Sequence, residues 1–431
     1  MNSCVAALED VSDIVYYLRA KYTNEGIANR CESVYICEPT PMEVKLFENT
    51  EVAFASKDNK ELKKALWLFR MIGKPFMVSV GKVCVNIALA LRIPFGWALR
   101  NNIFAHFCGG ETIEDCAKAT QVLDNYGVGT ILDYSVEGKQ DENDFDRGLE
   151  ELLAVVKTAH GNEHIPFCVF KVTGIARFSL LQKSNEGKTL SENELQEFGR
   201  IRIRIDAICK AAFEADTPVF IDAEESWIQD TIDQLADEMM LKYNKERAIV
   251  YNTVQLYRHD RLAFLKSSHQ KAQQEGYFLG VKLVRGAYME KERERAKEWS
   301  YQDPIQPDKP STDRDFDLAL EYCAEHSKDI ACCAGTHNEY SSELLTKLMT
   351  QYGIRKGDKR MYFAQLFGMS DQISFNLANM GYNVAKYVPY GPIRDVIPYL
   401  IRRAEENTSV KGQTGRELKL IQAEVKRRRK A

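Results

Sequence analysis

Arg402, Arg403 and Glu406 are the densest cluster of chemistry in the chain. Residues three and four apart share a helix face, so Glu406 lies beside both arginines. Two adjacent guanidiniums are costly unless an anion joins them, and a carboxylate fits that need in bidentate geometry. Taken alone, Arg-Arg-x-x-Glu reads more simply as an ion-pair cluster on a solvated helix face. The residues in front shift the balance. Val384 to Val388 reads as a short buried strand that Pro389 and Gly391 stop, with Tyr387 near its end. Ile393, Ile397, Leu400, Ile401 and Ala404 then recur at helical spacing, so the arginines stand on a helix that leaves a strand.

Composition narrows the class. The 431 residues are 45% hydrophobic and 28% charged, the balance of a globular chain with a large core. With 58 basic and 62 acidic side chains the net charge is −4, which argues against a nucleic-acid partner. Eleven scattered cysteines without framework spacing read as reduced thiols. Met1 to Asp10 has neither a basic start nor an apolar run, so no secretory signal is expected. The longest apolar span, Val83 to Leu99, is broken by Asn86, Arg92 and Pro94 and reads as a buried helix. A cytoplasmic chain is therefore the expectation. Residues 421–431 read as a basic tail whose run Lys426 to Lys430 is a solvated helix end, with a peripheral seat at the inner face of a membrane as its less common use.

The elements that must position these residues follow from periodicity. Residues 1–48 carry mixed signals and the break Glu38-Pro-Thr-Pro-Met42, and read as an N-terminal extension. Residues 49–126 are helical in pattern, as in Leu62, Ala65, Leu66 and Phe69. From residue 127 to 420 short apolar runs alternate with helical segments. The runs are Thr130–Tyr134, Phe167–Val172, Val219–Ile221, Ile249–Val254, Phe278–Val284, Ile330–Ala334, Met361–Leu366 and Val384–Val388. Eight strands, each followed by a helix, predict an α/β chain folded as a (βα)8 barrel. A doubly wound sheet would want a Gly-rich turn after its first strand, and Asp133 to Gly138 is not that turn.

In such barrels chemistry sits where strands end. The predicted ends carry Asp133 and Glu137, then Lys171, Asp222, Gln255, Lys282 with Arg285 and Gly286, Thr336-His337-Asn338, Gln365-Leu366, and Tyr387. Each has a plain reading alone: Asp222 as a helix N-cap, Lys171 as a snorkelling side chain, His337 as a hydrogen-bonded rim residue. Charges inside apolar runs are expensive to bury unpaired, and Lys171, Asp222 and Lys282 on neighbouring ends can neutralise one another. So many polar ends at one mouth point to a ligand. Cations outnumber acids there and Tyr288 and Tyr387 supply aromatic walls, which suits a large planar anion with a small carboxylate. No metal is expected: His160 and His164 have helical spacing, but Gly161 lies between them.

These residues carry a resemblance. In Lys282-Leu-Val-Arg-Gly-Ala-Tyr288, Thr336-His-Asn338, and Tyr387 through Arg402-Arg-x-x-Glu-Asn407, the chain resembles the proline dehydrogenases. The likeness runs from about Asn49 to Asn407 and matches the small single-domain form. It implies a distorted (βα)8 barrel holding FAD at its mouth, oxidising L-proline to Δ1-pyrroline-5-carboxylate and passing electrons to membrane quinone. It implies that Arg402, Arg403 and Lys171 hold the substrate carboxylate, that Glu406 orients the arginines, and that Tyr387 packs on the ring, with Leu366 and Tyr288 beside it. Asp222 and Lys282 take catalytic positions, Lys282 where many bacterial members carry arginine. Ala223, Gln255, Lys282, Arg285, Gly286 and Ala287 would line the flavin, and Lys309, Thr336 and His337 its phosphate or ribityl side. Rival readings are a 4-hydroxyproline dehydrogenase on the same barrel, a Schiff-base aldolase using Lys171 or Lys282, and a scaffold without catalysis.

Overall fold

The alternation closes on itself. The structure, a computed structural model, describes residues 46–73, 76–77, 81, 100–136, 140–409 and 413–430. Its strands are β1 (Val128–Tyr134), β2 (Phe167–Lys171), β3 (Val219–Asp222), β4 (Val250–Gln255), β5 (Leu279–Val284), β6 (Ile330–Gly335), β7 (Met361–Leu366) and β8 (Val384–Tyr390). Each pairs in parallel with the next, and β8 pairs with β1, so the chain is a closed (βα)8 barrel with a helical region before it. Helices cover the outer face, which is why these strands read as apolar runs rather than as alternating ones. Among the described residues no helix is long and apolar enough to cross a membrane. Residues 1–45, Val83 to Leu99 and Glu137 lie outside the described residues.

Helices α1 (Thr50–Ala53), α2 (Asn59–Ile72), α3 (Ala105–Phe107) and α4 (Ile113–Asp124) precede the barrel. Asp58 with Glu61 and Thr112 with Asp115 form reciprocal caps that fix where α2 and α4 begin. Around the barrel run α5 (Glu142–Ala159), α6 (Phe178–Asn185), α7 (Glu192–Glu214), α8 (Ser226–Tyr243), α9 (Arg261–Glu275), α10 (Met289–Trp299), α11 (Lys309–Glu325), α12 (Glu339–Gln351), α13 (Asp371–Asn379) and α14 (Ile393–Ser409). Helix α15 (Gln413–Arg428) follows.

Inside the barrel, large rings face small side chains. Phe167 and Phe220 stack at 4.3 Å between centroids, Tyr251 meets both edge-on, and Ala331, Ala364 and Ala385 leave them room. Tyr387 lies above Phe220 at 6.3 Å, nearly parallel to it. These rings are buried, so the interior is a plug with the mouth above it.

Two sequence expectations change. Strand β8 does not stop before Pro389 but runs to Tyr390. Proline lacks only an N–H, and on that side β7 has already ended at Leu366. The Pro389 carbonyl there accepts the Gly109 N–H at 2.9 Å, so the loop before α4 replaces the missing neighbour. The tail expected from residue 421 is likewise not separate, although its basic run is the helix end expected of it. It ends α15, where Arg428 donates to the carbonyls of Phe54 and Lys57 at 2.8 Å each and, like Arg427, pairs with Glu424.

Gly280 on β5 shows how tightly the interior is filled. A Cβ there would press on the Val250 carbonyl and stand 2.9 Å from the Tyr251 ring. Gly280→Ala should therefore cost about 1–3 kcal/mol of stability by overpacking. Urea unfolding monitored by far-UV circular dichroism checks it, and an unchanged midpoint would mean the ring can move aside.

Candidate functional site

The end of β3 places Asp222 between two lysines. Lys171, at the end of β2, donates to its Oδ2 at 2.9 Å, and Lys282 on β5 forms an ion pair with Oδ1. Lys171 also lies 4.0 Å from Asp133 of β1. The Lys282 ammonium donates to the Tyr387 hydroxyl at 2.6 Å and sits 4.8 Å from that ring's centroid and 5.3 Å from that of Phe220. With 4% of its surface exposed, Lys282 needs this carboxylate, because an unpaired buried ammonium would cost several kcal/mol. Burial pushes the Asp222 carboxyl up, but the two lysines outweigh it and hold it below its usual range. Burial, followed by the nearby Asp222 carboxylate, raises the Tyr387 phenol, which stays protonated. Asp222 is thus not the helix cap that its position allows; Glu225 stands at the start of α8.

A second carboxyl braces this group. Glu224 accepts the Thr173 backbone N–H at 3.0 Å and the Thr173 hydroxyl, which ties the turn after Lys171 to the turn after Asp222. Its own backbone carbonyl accepts the Gln255 side-chain amide at 2.7 Å. One residue thereby links the ends of β2, β3 and β4. Burial raises the Glu224 carboxyl to about 8, with Glu225 adding to it against the Thr173 bonds.

On the other side of the mouth, Arg285 leaves β5 and donates to Asp313 at 2.7 Å, to the Thr336 hydroxyl at 2.8 Å and to Ser341 at 2.9 Å. Its guanidinium lies 4.2 Å from the Phe316 ring centroid. Lys309, at the start of α11, pairs with the same Asp313, so one carboxylate sets two cations side by side. Gly286 turns at φ +131°, and a Cβ there would lie 2.5 Å from the Tyr257 ring, so this turn admits only glycine. Ala287 is exposed, Tyr288 half-buried, and Ala223 is buried directly after Asp222. His337 Nδ1 meets the Ser370 hydroxyl at 2.9 Å. Burial lowers the His337 ring to about 3, aided by Lys386, Arg403 and Arg285, so it is a neutral imidazole.

Helix α14 brings its arginines to this rim. Arg403 is buried, with its guanidinium 5.2 Å from the Tyr399 ring centroid, while Arg402 is half-exposed. Leu366, which pairs with Tyr387 in the sheet, packs both on the barrel interior and on the cluster that holds Tyr399. The Glu406 side chain lies outside the described residues. Among the described residues no group of three or more His, Cys, Asp or Glu side chains is placed to hold a metal ion. Sequence reasoning missed Asp313, Ser341, Ser370 and Lys386. A lysine between Ala385 and Tyr387 was a visible signal, since a strand covered on both faces has no solvent to offer it.

Comparisons with known proteins agree on one family. The family model described as proline dehydrogenase matches residues 116–416. The chain is 31% identical to "Proline dehydrogenase 1, mitochondrial" of Dictyostelium discoideum, over 89% of this chain and 75% of that one. It is 34% identical to the carbapenem antibiotics biosynthesis protein CarD of Pectobacterium carotovorum, over 77% of this chain and 85% of that one. Among solved structures, proline utilization A from Bdellovibrio bacteriovorus inactivated by N-propargylglycine superposes with a TM-score of 0.64 at 19% identity. That match covers 85% of this chain and 37% of that one, a likeness of fold.

Glu224 generates a pH prediction. Its folded-state pKa is raised, so its contribution to stability is full below the unfolded value near 4.5 and is lost as pH rises through about 8. Glu224→Gln should flatten the fall in unfolding free energy across that window. Urea midpoints at a series of pH values test it, and an unaltered slope would place the titration elsewhere.

Proposed function

The chain belongs to the proline dehydrogenase family, an enzyme of proline oxidation, and from that premise we propose its chemistry: FAD held at the barrel mouth, L-proline oxidised to Δ1-pyrroline-5-carboxylate, and electrons passed to membrane quinone. The observation that carries this reading is the buried network of Asp222, Lys171, Lys282 and Tyr387. Apolar residues of the same volume would serve a plain barrel at least as well, so ionic groups kept here argue for a ligand.

The donor set fits a flavin dinucleotide. The mouth of β4, β5 and β6 offers the Gln255 amide, the Lys282 ammonium, the Thr336 hydroxyl and the neutral His337 imidazole. Arg285 and Lys309, joined through Asp313, are the two cations this side offers to a phosphate. In this reading Gln255, Lys282, Ala223, Gly286 and Ala287 line the ring system, and Arg285, Lys309, Thr336 and His337 serve the ribityl and phosphate side. When bound, FAD supplies the acceptor for a hydride from the substrate ring.

The chain's own groups then bind and orient. Arg403 is buried against Tyr399, so little motion is lost when it takes a carboxylate, and Arg402 completes a bidentate clamp. Lys171 adds a third cation, spread over Asp222 and Asp133. Lys282 fixes the Tyr387 hydroxyl and thereby the ring against which the substrate packs, with Leu366 and Tyr288 alongside. Positioning of this kind supplies much of the rate. Gripping the carboxylate leaves the substrate nitrogen to lose its proton to solvent, the form that can give up hydride. The quinone is supported by the family resemblance.

The visible spectrum of the purified protein tests the reading. Flavin bands should be present and should bleach on anaerobic addition of L-proline, faster as pH rises from mildly acidic to basic. A protein that is colourless and takes up no added FAD overturns it. Arg403→Met should weaken proline binding by about 2–5 kcal/mol with FAD content unchanged. A spectroscopic proline titration of the variant measures that, and wild-type affinity would remove Arg403 from the clamp.

A further inference from the structure

The segment between β7 and α13, residues 367–370, is gripped from three directions. From the barrel, Lys386 donates to the carbonyls of Met369 at 2.7 Å and Leu366 at 3.4 Å, and to Asp371 at 2.7 Å. From the N-terminal region, Lys57 in the loop between α1 and α2 pairs with Asp371, and Gly368, at φ +77°, comes so near the His106 carbonyl that no Cβ fits. From α15, Glu417 Oε1 accepts the Ser370 backbone N–H at 3.1 Å. Ser370 needs such a hold: at φ +53° and ψ +42° it occupies the left-handed region that side chains other than glycine rarely adopt. Its hydroxyl is the group that meets His337 Nδ1.

We propose that Glu417 is a positioning residue for the His337 imidazole, acting through Ser370. The Glu417 carboxyl locks the left-handed turn, the turn aims the Ser370 hydroxyl at Nδ1, and Nδ1 accepts its proton. The imidazole then keeps its own proton on Nε2, because the partner of one ring nitrogen decides which tautomer is present. A single tautomer makes His337 a fixed donor toward the dinucleotide of the function proposed above, on which this inference rests. The family match ends at residue 416, one short of Glu417, and begins well after Lys57. The bracket on this segment is thus built partly from chain outside the matched region.

Glu417 is 6% exposed, and burial beside Asp371 raises its carboxyl to about 8. A neutral carboxyl that accepts one hydrogen bond has a close substitute in an amide. Glu417→Gln should therefore match wild type, while Glu417→Ala should not. Ser370→Gly separates positioning from packing: it keeps the N–H for Glu417, relieves the backbone, and removes the hydroxymethyl group that reaches Nδ1.

The experiment uses the full-length protein as purified, with ¹⁵N shifts of the His337 ring, FAD dissociation constants and thermal midpoints measured for all three variants. Glu417→Ala and Ser370→Gly should turn one His337 tautomer into a mixture and weaken FAD about fivefold, the worth of one neutral hydrogen bond. Ser370→Gly should do so with a midpoint at or above that of wild type. Glu417→Gln should keep all three readings. Unchanged His337 shifts in Glu417→Ala or Ser370→Gly overturn the proposal, as does a Glu417→Gln variant that behaves like Glu417→Ala. If no FAD binds even to wild type, the function proposed above fails while the tautomer reading still decides this one.

Discussion

One carboxylate shared between two ammoniums sets the terms for the rest of the mouth. Asp222, Lys171 and Lys282 come from three different strands, and none can be buried at acceptable cost without the others. Only a closed sheet brings those ends together, and only the aromatic plug beneath them keeps water from relaxing the group. Tyr387 belongs to the same unit because its hydroxyl accepts from Lys282. The Glu224 brace and the Arg285 anchor are then ways of fixing the turns on either side of this group.

The strands were legible because both faces of each are covered, so each shows as an unbroken apolar run, and every expected end falls within two residues of the observed one. The misjudged end was instructive. Whether Pro389 breaks β8 depends on whether a neighbour wants its N–H, and that is a property of where β7 stops, far away in the chain. Local sequence carries no trace of it.

The site divides the same way. Lys171, Asp222 and Lys282 were legible as charges at strand ends, since burial demanded partners and neighbouring ends could supply them. Arg285 was visible, but its partner Asp313 lies within a helix of ordinary polar pattern and could not be picked out from other acids. Lys386 was overlooked although it sits in the most closely read strand. It stands between the inward-facing Ala385 and Tyr387, so its side chain points outward and makes an ion pair under α13. Ser370 was not legible at all, because a positive φ at serine has no signature in residue type.

The rings that plug the barrel also govern traffic. Phe167, Phe220 and Tyr251 fill the barrel interior beneath the strand ends, so the mouth lies on the side away from them. Under the function proposed above, substrate and electron acceptor would both approach from that side, by turns. A floor chosen for close packing thereby imposes a queue, with departure of the first visitor a condition for admitting the next.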